Sequence, residues 1–434
     1  MGMGPRVLRP ERDQLFWDMV DLDSQVPPDH PVRIIWAFVD GLALPELYDP
    51  IKARDEVAGR PTPDPKILLG LWLYATVEGV GSARALARLC EHHAAYRWMC
   101  GRVPVNYHGL SDFRVAAGSV LDRILSESVA ALMAEGLVSL DEVAVDGTRI
   151  AANAGKGSLR DGAGIERFES AARARVARLK REAEADPGAG ERRRQAARAR
   201  TESETAARAQ AARDRLAALQ AEKAGRQKTH KKQEAAKAPP RISTTDPQAR
   251  LMKMPDGSFR PAYNLIVAAA PQQQVILAIE PSDRRNEAGL AQPMVEEVAR
   301  RYGKRPGRLL VDTRLATARE IEDLAGHADG PTLVYSPPPP ERDDIKPASL
   351  AKRQRHRDAE PPALADWRGR MASAAGKLVY ARRKLIEPIN GRLKNCNWRQ
   401  LRLRGLAKVR TEALLHAVAY NICRGHTLRL AQAT

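Results

Sequence analysis

After residue 139 the chain carries a fixed order of strand-like and helix-like segments, and this order restricts the possible folds more than any other feature. Aliphatic and β-branched residues cluster in five short segments bounded by turn residues. A helical pattern follows the third segment, another follows the fourth, and helices close the chain. The strand segments are VAVDGTRI from Val143, AYNLIVAAAP from Ala262, QVILAIEPSD from Gln274, GRLLVDT from Gly307 and PTLVYS from Pro331.

This order predicts a mixed sheet with helices packed around it. The second and third strand segments are joined by a short turn after Pro271, which suits an antiparallel pair. GRLLVDT is almost continuously apolar, as expected for a strand buried inside such a sheet. An antiparallel start followed by parallel additions is the order of a ribonuclease-H-like fold. We therefore predict an α/β (α+β) domain over residues 139–425, with its chemistry at the strand ends.

Residues 1–138 are predicted to form an all-α domain, with helical patterns from about residue 14. Pro65–Val80 opens with a proline suited to a first helical turn, and Ser82 is placed to cap the next helix. One long amphipathic helix is predicted from Ser111 to Gly136. The join at Gly81 favours either a helix-turn-helix or an ordinary bundle with a polar outer face. The basic residues on or near the second helix are Arg84, Arg88, His92, His93 and Arg97.

A low-complexity segment interrupts the strand-rich part between residues 160 and 240. It is rich in Ala, Arg, Glu and Lys, with a break at Asp186–Gly190. Few apolar positions recur, so the composition predicts two long, exposed, basic helices, with a hairpin as one arrangement. A solvated linker is the alternative interpretation.

The net charge indicates a polyanionic partner. The sequence has 71 Lys and Arg against 53 Asp and Glu, a formal charge of +18, and nucleic acid is the polyanion expected. The four cysteines include no C-x-x-C pair, which is typical of reduced cytosolic thiols. No apolar run is long enough for a signal peptide or a membrane span. We expect a cytoplasmic protein without a membrane partner, nucleoid-associated when bound to DNA.

Three acidic residues occupy positions where this fold concentrates chemistry. Asp146 is predicted to end the first strand, Asp312 the fourth, and Glu387 to lie on a helix after the fifth. Carboxylates are the hard oxygen ligands that Mg²⁺ prefers, whereas His and Cys are too few and scattered for a softer metal. Sequence alone leaves four rival acids for this role: Asp141, Glu142, Asp283 and Glu412.

The stretch YARRKLIEPINGRLK places a carboxylate among cations. At about 100° per residue, one face of a helix would carry Tyr380, Arg383, Glu387 and Lys394. Pro388 lacks an N–H, so the helix is expected to kink or restart near Glu387. The spacing resembles the Y-x2-R-x3-E-x6-K signature of the DDE transposases of bacterial insertion sequences, with every position filled.

Further segments resemble the same family, in the branch with an N-terminal helical domain. NYHGLSDFR from Asn106 is similar to the end of that domain, and VDGTRIAANAGKGS from Val145 to the segment with the first acid. STTDPQARLMKMPDGSFRPAYN from Ser243 is similar to the entry into the second strand. LLVDTRLAT resembles the second acidic segment, and LRLRGLAKVRTEALLHAVAYNICR the C-terminal helix. The resemblance covers nearly the whole chain except the Arg/Ala-rich insertion.

The resemblance implies a catalytic triad, metal ions and a substrate. Asp146 would bridge two Mg²⁺ ions, for which Mn²⁺ can substitute, while Asp312 and Glu387 would each hold one. The implied partner is double-stranded DNA, both as transposon ends and as target, bound by a homodimer. The ends would be hydrolysed, and the freed 3′-hydroxyls would then attack the target in a second in-line displacement.

The resemblance also implies DNA contacts near the cut and in the N-terminal domain. The residues expected to hold the transposon end are Tyr380, Arg383 and Lys394. The chain departs from the family where Thr313, Arg314 and Leu315 follow the second acid, in place of small residues and an aromatic. Three interpretations stay open: an active transposase, a catalytically inactive DNA-binding derivative, and a basic scaffold or RNA-binding protein built around residues 160–240.

Overall fold

The structure is a computed structural model that describes residues 21–51, 61–185, 189–229, 239–339, 357 and 359–433. The predicted start of the helical domain near residue 14 lies outside these residues. So do the middle of the predicted break in the insertion, at residues 186–188, and the end of the insertion at residues 230–238.

Short helices make up the N-terminal region, and they bury their apolar faces against one another. The prediction that Ser82 caps a helix is confirmed, since its Oγ accepts a hydrogen bond from the Ala85 N–H. The helix predicted from Pro65 ends at Val77, shortly before Gly79 with its φ of +72°. The helices are α1 (Pro31–Asp40), α2 (Pro45–Tyr48), α3 (Pro65–Val77), α4 (Ala83–His92), α5 (Ala94–Cys100), α6 (Tyr107–Ala116) and α7 (Gly118–Ala134).

The prediction of one long helix from Ser111 to Gly136 is wrong. The cap of α6 is Asn106, whose Oδ1 accepts from the Gly109 N–H at 2.8 Å. A second helix, α7, begins at Gly118, where an added Cβ would lie 2.7 Å from the Oγ1 of Thr411 in the C-terminal helix. The helix is therefore interrupted at Ala117, next to a glycine that leaves room for Thr411 of the C-terminal helix.

The predicted ribonuclease-H-like mixed sheet is confirmed. The strands are β1 (Glu142–Ala151), β2 (Leu159–Arg160), β3 (Ile242–Ser243), β4 (Arg250–Lys253), β5 (Phe259–Ala270), β6 (Val275–Ser282), β7 (Arg308–Val311) and β8 (Leu333–Tyr335). The spatial order in the sheet is β4-β5-β1-β7-β8, and β6 pairs with β5 beside β4. β1 runs antiparallel to β5 and parallel to β7, and β8 extends the parallel side.

The two helices predicted in the insertion are present as α8 (Gly162–Ala185) and α9 (Ala189–Thr229). They pack side by side, and Arg175 Nε donates to Glu202 across the pair at 2.9 Å. A small apolar cluster near the base contains Ile165, Ala212, Leu216, Leu219 and Ile242. β2 and β3 pair antiparallel where the chain enters and leaves the insertion. The insertion is thus a helical hairpin with a closed base, not an extended linker.

The remaining helices cover the sheet and close the chain. They are α10 (Ala291–Tyr302), α11 (Ala318–Ala325), α12 (Pro362–Ala372), α13 (Ala374–Ala381), a 3₁₀ helix (Arg382–Ile386), α14 (Glu387–Asn395) and α15 (Leu406–Ala433). The helix predicted after the third strand segment is α10, which begins at Ala291 after a loop that follows β6.

One helix, α15, joins the N-terminal helices to the sheet. It packs against α3, α7 and β6, so that a single continuous apolar core runs through both regions. Asn421 on α15 exchanges two hydrogen bonds with the backbone of Ile276 on β6, at 2.9 and 2.7 Å. On the other side, Arg114 lies over the Trp72 ring at 4.2 Å and donates to the Gly81 carbonyl at 2.8 Å. Buried polar contacts of this kind fix one arrangement of the packed helices.

Candidate active site

Two carboxylates lie side by side where β1 runs along β7. The parallel register pairs Val145 with Val311, and neighbouring strands are spaced about 4.8 Å apart, so Asp146 on β1 lies beside Asp312, the first residue after β7. Asp312 directly follows β7, as predicted. The prediction that Asp146 ends β1 is wrong, because β1 stays paired with β5 as far as Ala151. Asp146 instead lies mid-strand, at the point where β7 stops.

Asp312 is an exposed carboxylate oriented by the residues after it. Its Oδ1 accepts from the Thr313 N–H at 2.8 Å, and its carbonyl accepts from the Ser336 Oγ at 3.1 Å. Leu315 is buried in the core and Arg314 is exposed. The three residues that depart from the family pattern therefore leave Asp312 at the end of its strand.

Glu387 begins a new helix, as the proline predicted. The α-helix that contains Tyr380 changes to 3₁₀ at Arg382, and α14 starts at Glu387 with Pro388 in its first turn. Glu387 itself has helical angles, φ −60° and ψ −40°, rather than the extended ones usual before proline. The 3₁₀ segment interrupts the single α-helical face predicted for Tyr380, Arg383 and Glu387.

Arg383 connects the first and third acids. Its Nη1 lies 3.6 Å from Asp146 Oδ1 and its Nη2 lies 3.8 Å from Glu387 Oε1. The ring of Tyr380 is 6.0 Å from the guanidinium carbon. Burial lowers the pKa of Arg383, but Tyr380 and the carboxylates of Asp146 and Asp312 outweigh it, so the pKa is raised overall. A permanently charged group thus stands between two of the predicted catalytic acids.

Asp146 is the most deeply placed of the three. Its Oδ2 accepts from Asn390 Nδ2 at 2.9 Å. Asn390 is 8% exposed, and its Oδ1 has no hydrogen-bond partner among the described residues. Burial raises the pKa of Asp146, and the negative charges of Asp312 and Glu387 raise it further, against the effect of Arg383. Such a cluster would be stabilised by additional positive charge.

A fourth acid that the sequence analysis missed, Glu287, lies in the loop between β6 and α10. Its Oε1 accepts from Nδ2 of Asn264, a fully buried residue of β5, at 3.1 Å. The carboxylate rests against Gly147, where an added Cβ would lie 2.3 Å from Oε1. Burial raises the pKa of Glu287, and the charges of Asp146 and Asp312 also raise it. In the sequence, the one indication that Glu287 could belong to the site was its position between the third strand segment, now β6, and the helix that follows it.

The predicted DNA-contact residues lie at different distances from the acids. Arg383 is at the centre, and Tyr380 stands beside it at the end of α13. Lys394 is two turns beyond Glu387 on α14, about 10 Å along the helix axis and on the same side. The side chains of Tyr380, Arg383 and Lys394 therefore form a row beside the carboxylates.

The four rival acids have other contacts. Glu412 is 3% exposed and accepts from the backbone N–H groups of Arg402 and Leu403 at 2.9–3.0 Å. The other three are ion-paired away from the central carboxylates, as Asp141–Lys304, Glu142–Arg382 and Asp283–Arg215.

The donors at this site fit a hard divalent cation. Within the described ranges, no group of three His, Cys, Asp or Glu side chains is close enough to form a finished metal-ligand set. The acids instead converge from β1, the end of β7 and the start of α14, with the buried Asn390 Oδ1 beside them. Carboxylate and amide oxygens suit Mg²⁺ or Mn²⁺ rather than a thiophilic metal.

Fold and site together define a class. A ribonuclease-H-like sheet with carboxylates at adjacent strands, on a strongly basic chain, is the framework of an enzyme that acts on nucleic-acid phosphodiesters. Residues 20–116 match the family model described as Transposase domain (DUF772), and residues 226–422 match the Transposase DDE domain. The chain belongs to the DDE transposases of insertion-sequence type. This family uses divalent metal ions.

The matched ranges cover the second and third acids but not the first. Asp312 and Glu387 lie within residues 226–422, whereas Asp146 lies between the two matches. Asp146 lies near the other two acids because its strand, β1, pairs with both β5 and β7. No curated protein and no solved structure is significantly similar to the chain. Among the helices described, none has both the length and the apolar character to cross a membrane.

Proposed function

We propose that this protein moves an insertion sequence, by cutting DNA at the terminal inverted repeats and joining the freed 3′ ends to target DNA. The observation that carries the proposal is that Asp146 on β1 and Asp312 just after β7 follow the last paired residues of two parallel strands, with Glu387 linked to Asp146 through Arg383. These acids come from separate parts of the chain: Asp146 lies mid-strand on β1, Asp312 directly follows β7, and Glu387 begins α14.

In this proposal Asp146, Asp312 and Glu387 are the residues that would hold the divalent cations. Two Mg²⁺ ions, or Mn²⁺ in their place, would activate the attacking oxygen and stabilise the leaving oxygen. The chain itself supplies position: β1 and β7 fix the spacing of two acids, and Asn390 fixes the rotation of Asp146. Both cutting and joining are in-line displacements, which depend mainly on positioning and charge neutralisation.

The DNA end would be held by cations on both sides of Glu387. Arg383 is already drawn into the site by two carboxylates, and Lys394 is on the same side of α14. Tyr380 offers a flat ring and a hydroxyl beside them, suited to a base or a phosphate. Positive charge at this edge also reduces repulsion between DNA phosphates and the acids.

The N-terminal helices would supply a second DNA contact. Arg84, Arg88 and His92 are exposed at intervals of four residues on α4, so they form one basic stripe. A homodimer acting in the cytoplasm, where the chromosome is, would bring two such ends together. Two ends held by two subunits account for how an element is cut out as a unit.

The proposed function is tested by cutting of DNA that carries the gene's flanking sequences, where terminal inverted repeats are expected. In Mg²⁺ the full-length protein should cut at the repeat ends, and EDTA should reduce the rate by at least about 10³-fold, since the cations contribute several kcal/mol to the transition state. DNA with scrambled repeats is the control. Tight binding without cutting would instead support the inactive DNA-binding derivative. Preference for RNA would support the scaffold interpretation.

Substituting Arg88 with alanine is expected to weaken binding to the terminal repeats several-fold without changing the site of cutting. Loss of one phosphate contact should also lower the slope of log K against log salt concentration by about one. Fluorescence anisotropy across a salt series measures both quantities. Arg319→Ala is a matched control, because Arg319 is an exposed arginine on a different helix, α11. Equal affinity and slope for wild type and Arg88→Ala would remove α4 from the DNA-binding surface.

A further inference from the structure

We propose that Glu287 is a fourth acidic residue of the cation site, held in position by Asn264 and by the absence of a side chain at Gly147. This inference rests on the proposed function, since it concerns the same site. It adds a residue outside the triad of Asp146, Asp312 and Glu387, contributed by the loop between β6 and α10.

The first argument is the fit between Glu287 and the strand that carries Asp146. The two Glu287 oxygens and the carbon between them would lie 2.3–3.0 Å from a Cβ at position 147, so only glycine leaves room for the carboxylate. Gly147 has no positive φ that would itself require glycine. The Glu287 carboxylate takes the space of a side chain at position 147, next to Asp146 in the chain, and the charges of Asp146 and Asp312 both raise the pKa of Glu287.

The second argument is the lack of a positive partner for a half-buried carboxylate. Glu287 forms no ion pair within the part of the chain that the structure describes, while Asp146 and Asp312 stand nearby. The charge of Arg149 lowers the pKa of Glu287, but the Arg149 guanidinium donates its hydrogen bonds to the carbonyls of Lys253 and Arg285. A partly buried negative charge beside two others is costly unless a cation compensates it.

Two buried amides provide an independent indication of a ligand. Asn264 is fully buried and donates to Glu287, and Asn390 is 8% exposed and donates to Asp146. In each of them Oδ1 lacks a hydrogen-bond partner among the described residues. A buried amide oxygen without a donor is uncommon, and a hydrated divalent cation presents water protons that would satisfy it.

Mn²⁺ binding to the full-length protein tests this inference without any need for DNA cutting. Titration calorimetry should show that Glu287→Gln lowers the Mn²⁺ affinity about 10- to 100-fold, the range for residues that support metal ligands. Asp312→Asn should show a comparable or larger loss. Glu296→Gln is the matched control, since it makes the same change at an exposed position on α10, and it should leave the affinity unchanged.

Gly147→Ala gives a second, independent variant. Its methyl group must displace the Glu287 carboxylate, so it should also weaken Mn²⁺ binding, yet have little further effect when combined with Glu287→Gln. Thermal melting confirms that each variant is folded. If Glu287→Gln and Gly147→Ala bind Mn²⁺ like wild type while Asp312→Asn does not, the inference is overturned and the proposed function stands. If wild type binds no Mn²⁺, both fail.

Discussion

Replacing Asp146 with asparagine is expected to abolish DNA cutting and, at the same time, to raise the melting temperature of the protein. The rate should fall by at least about 10³-fold, because a lost cation ligand removes several kcal/mol of transition-state stabilisation. Binding to the repeat ends should persist, since Asn390 can still donate to the oxygen of the new amide. Gel assays of cutting and of binding on the same DNA measure the two effects.

The gain in stability follows from the direction of the pKa shift. The pKa of Asp146 is raised in the folded protein above its ordinary 3.8, first by burial. The folded state therefore binds this proton more tightly than the unfolded chain does, and the associated stability is lost as the pH rises through the folded pKa. At pH 7 the charged carboxylate lowers the free energy of unfolding. The advantage of the asparagine variant should shrink as the pH falls towards 4.

Glu387→Gln separates activity from stability. It should lose cutting to a similar extent, but its melting temperature should stay close to that of wild type because the Glu387 side chain is 62% exposed.

A variant of Asp146 that cuts DNA at the wild-type rate would refute its assignment as the bridging acid.

Glu412→Ala is expected to cause the largest loss of stability, about 3–5 kcal/mol. The buried carboxylate accepts from the backbone N–H groups of Arg402 and Leu403 and from Trp398 Nε1, so alanine leaves all three donors without a partner. Denaturant unfolding followed by tryptophan fluorescence measures the change. Glu296→Ala, at an exposed position on α10, should stay within about 0.5 kcal/mol of wild type. A cost below about 1 kcal/mol for Glu412→Ala would contradict this account.

The order of strands was predictable from sequence because burial in a sheet leaves long apolar segments with clear ends. The same local rule could not locate Asp146 within β1. Whether a strand stops or continues depends on its partners, and β1 outlasts β7 only because β5 still pairs with it. Likewise, the lack of room for a side chain at Gly118 comes from Thr411, a residue far away in the chain, and is not visible in the local sequence.

The candidate site shows the same division between local and long-range causes. Pro388 indicated a helix start at Glu387 because its missing N–H is a local property. Glu287 could not be identified from the sequence. The position of its carboxylate depends on the space left by Gly147 and on a hydrogen bond from Asn264 of β5, and neither is visible in the segment around Glu287. The rivals Glu142 and Asp283 could be set aside only when their arginine partners were placed.

Because α15 packs at once on α3, α7 and β6, the helices before residue 138 cannot swing away from the sheet without tearing open one continuous core. The basic stripe of α4 and the acids beside β7 therefore belong to a single rigid body, and the distance between them is fixed. Under the proposed function, this fixed distance determines where the DNA is cut. A DNA end bound on α4 would reach the carboxylates after a set number of base pairs, so the distance from the bound repeat to the cut is set by protein packing rather than by the bases at the cut.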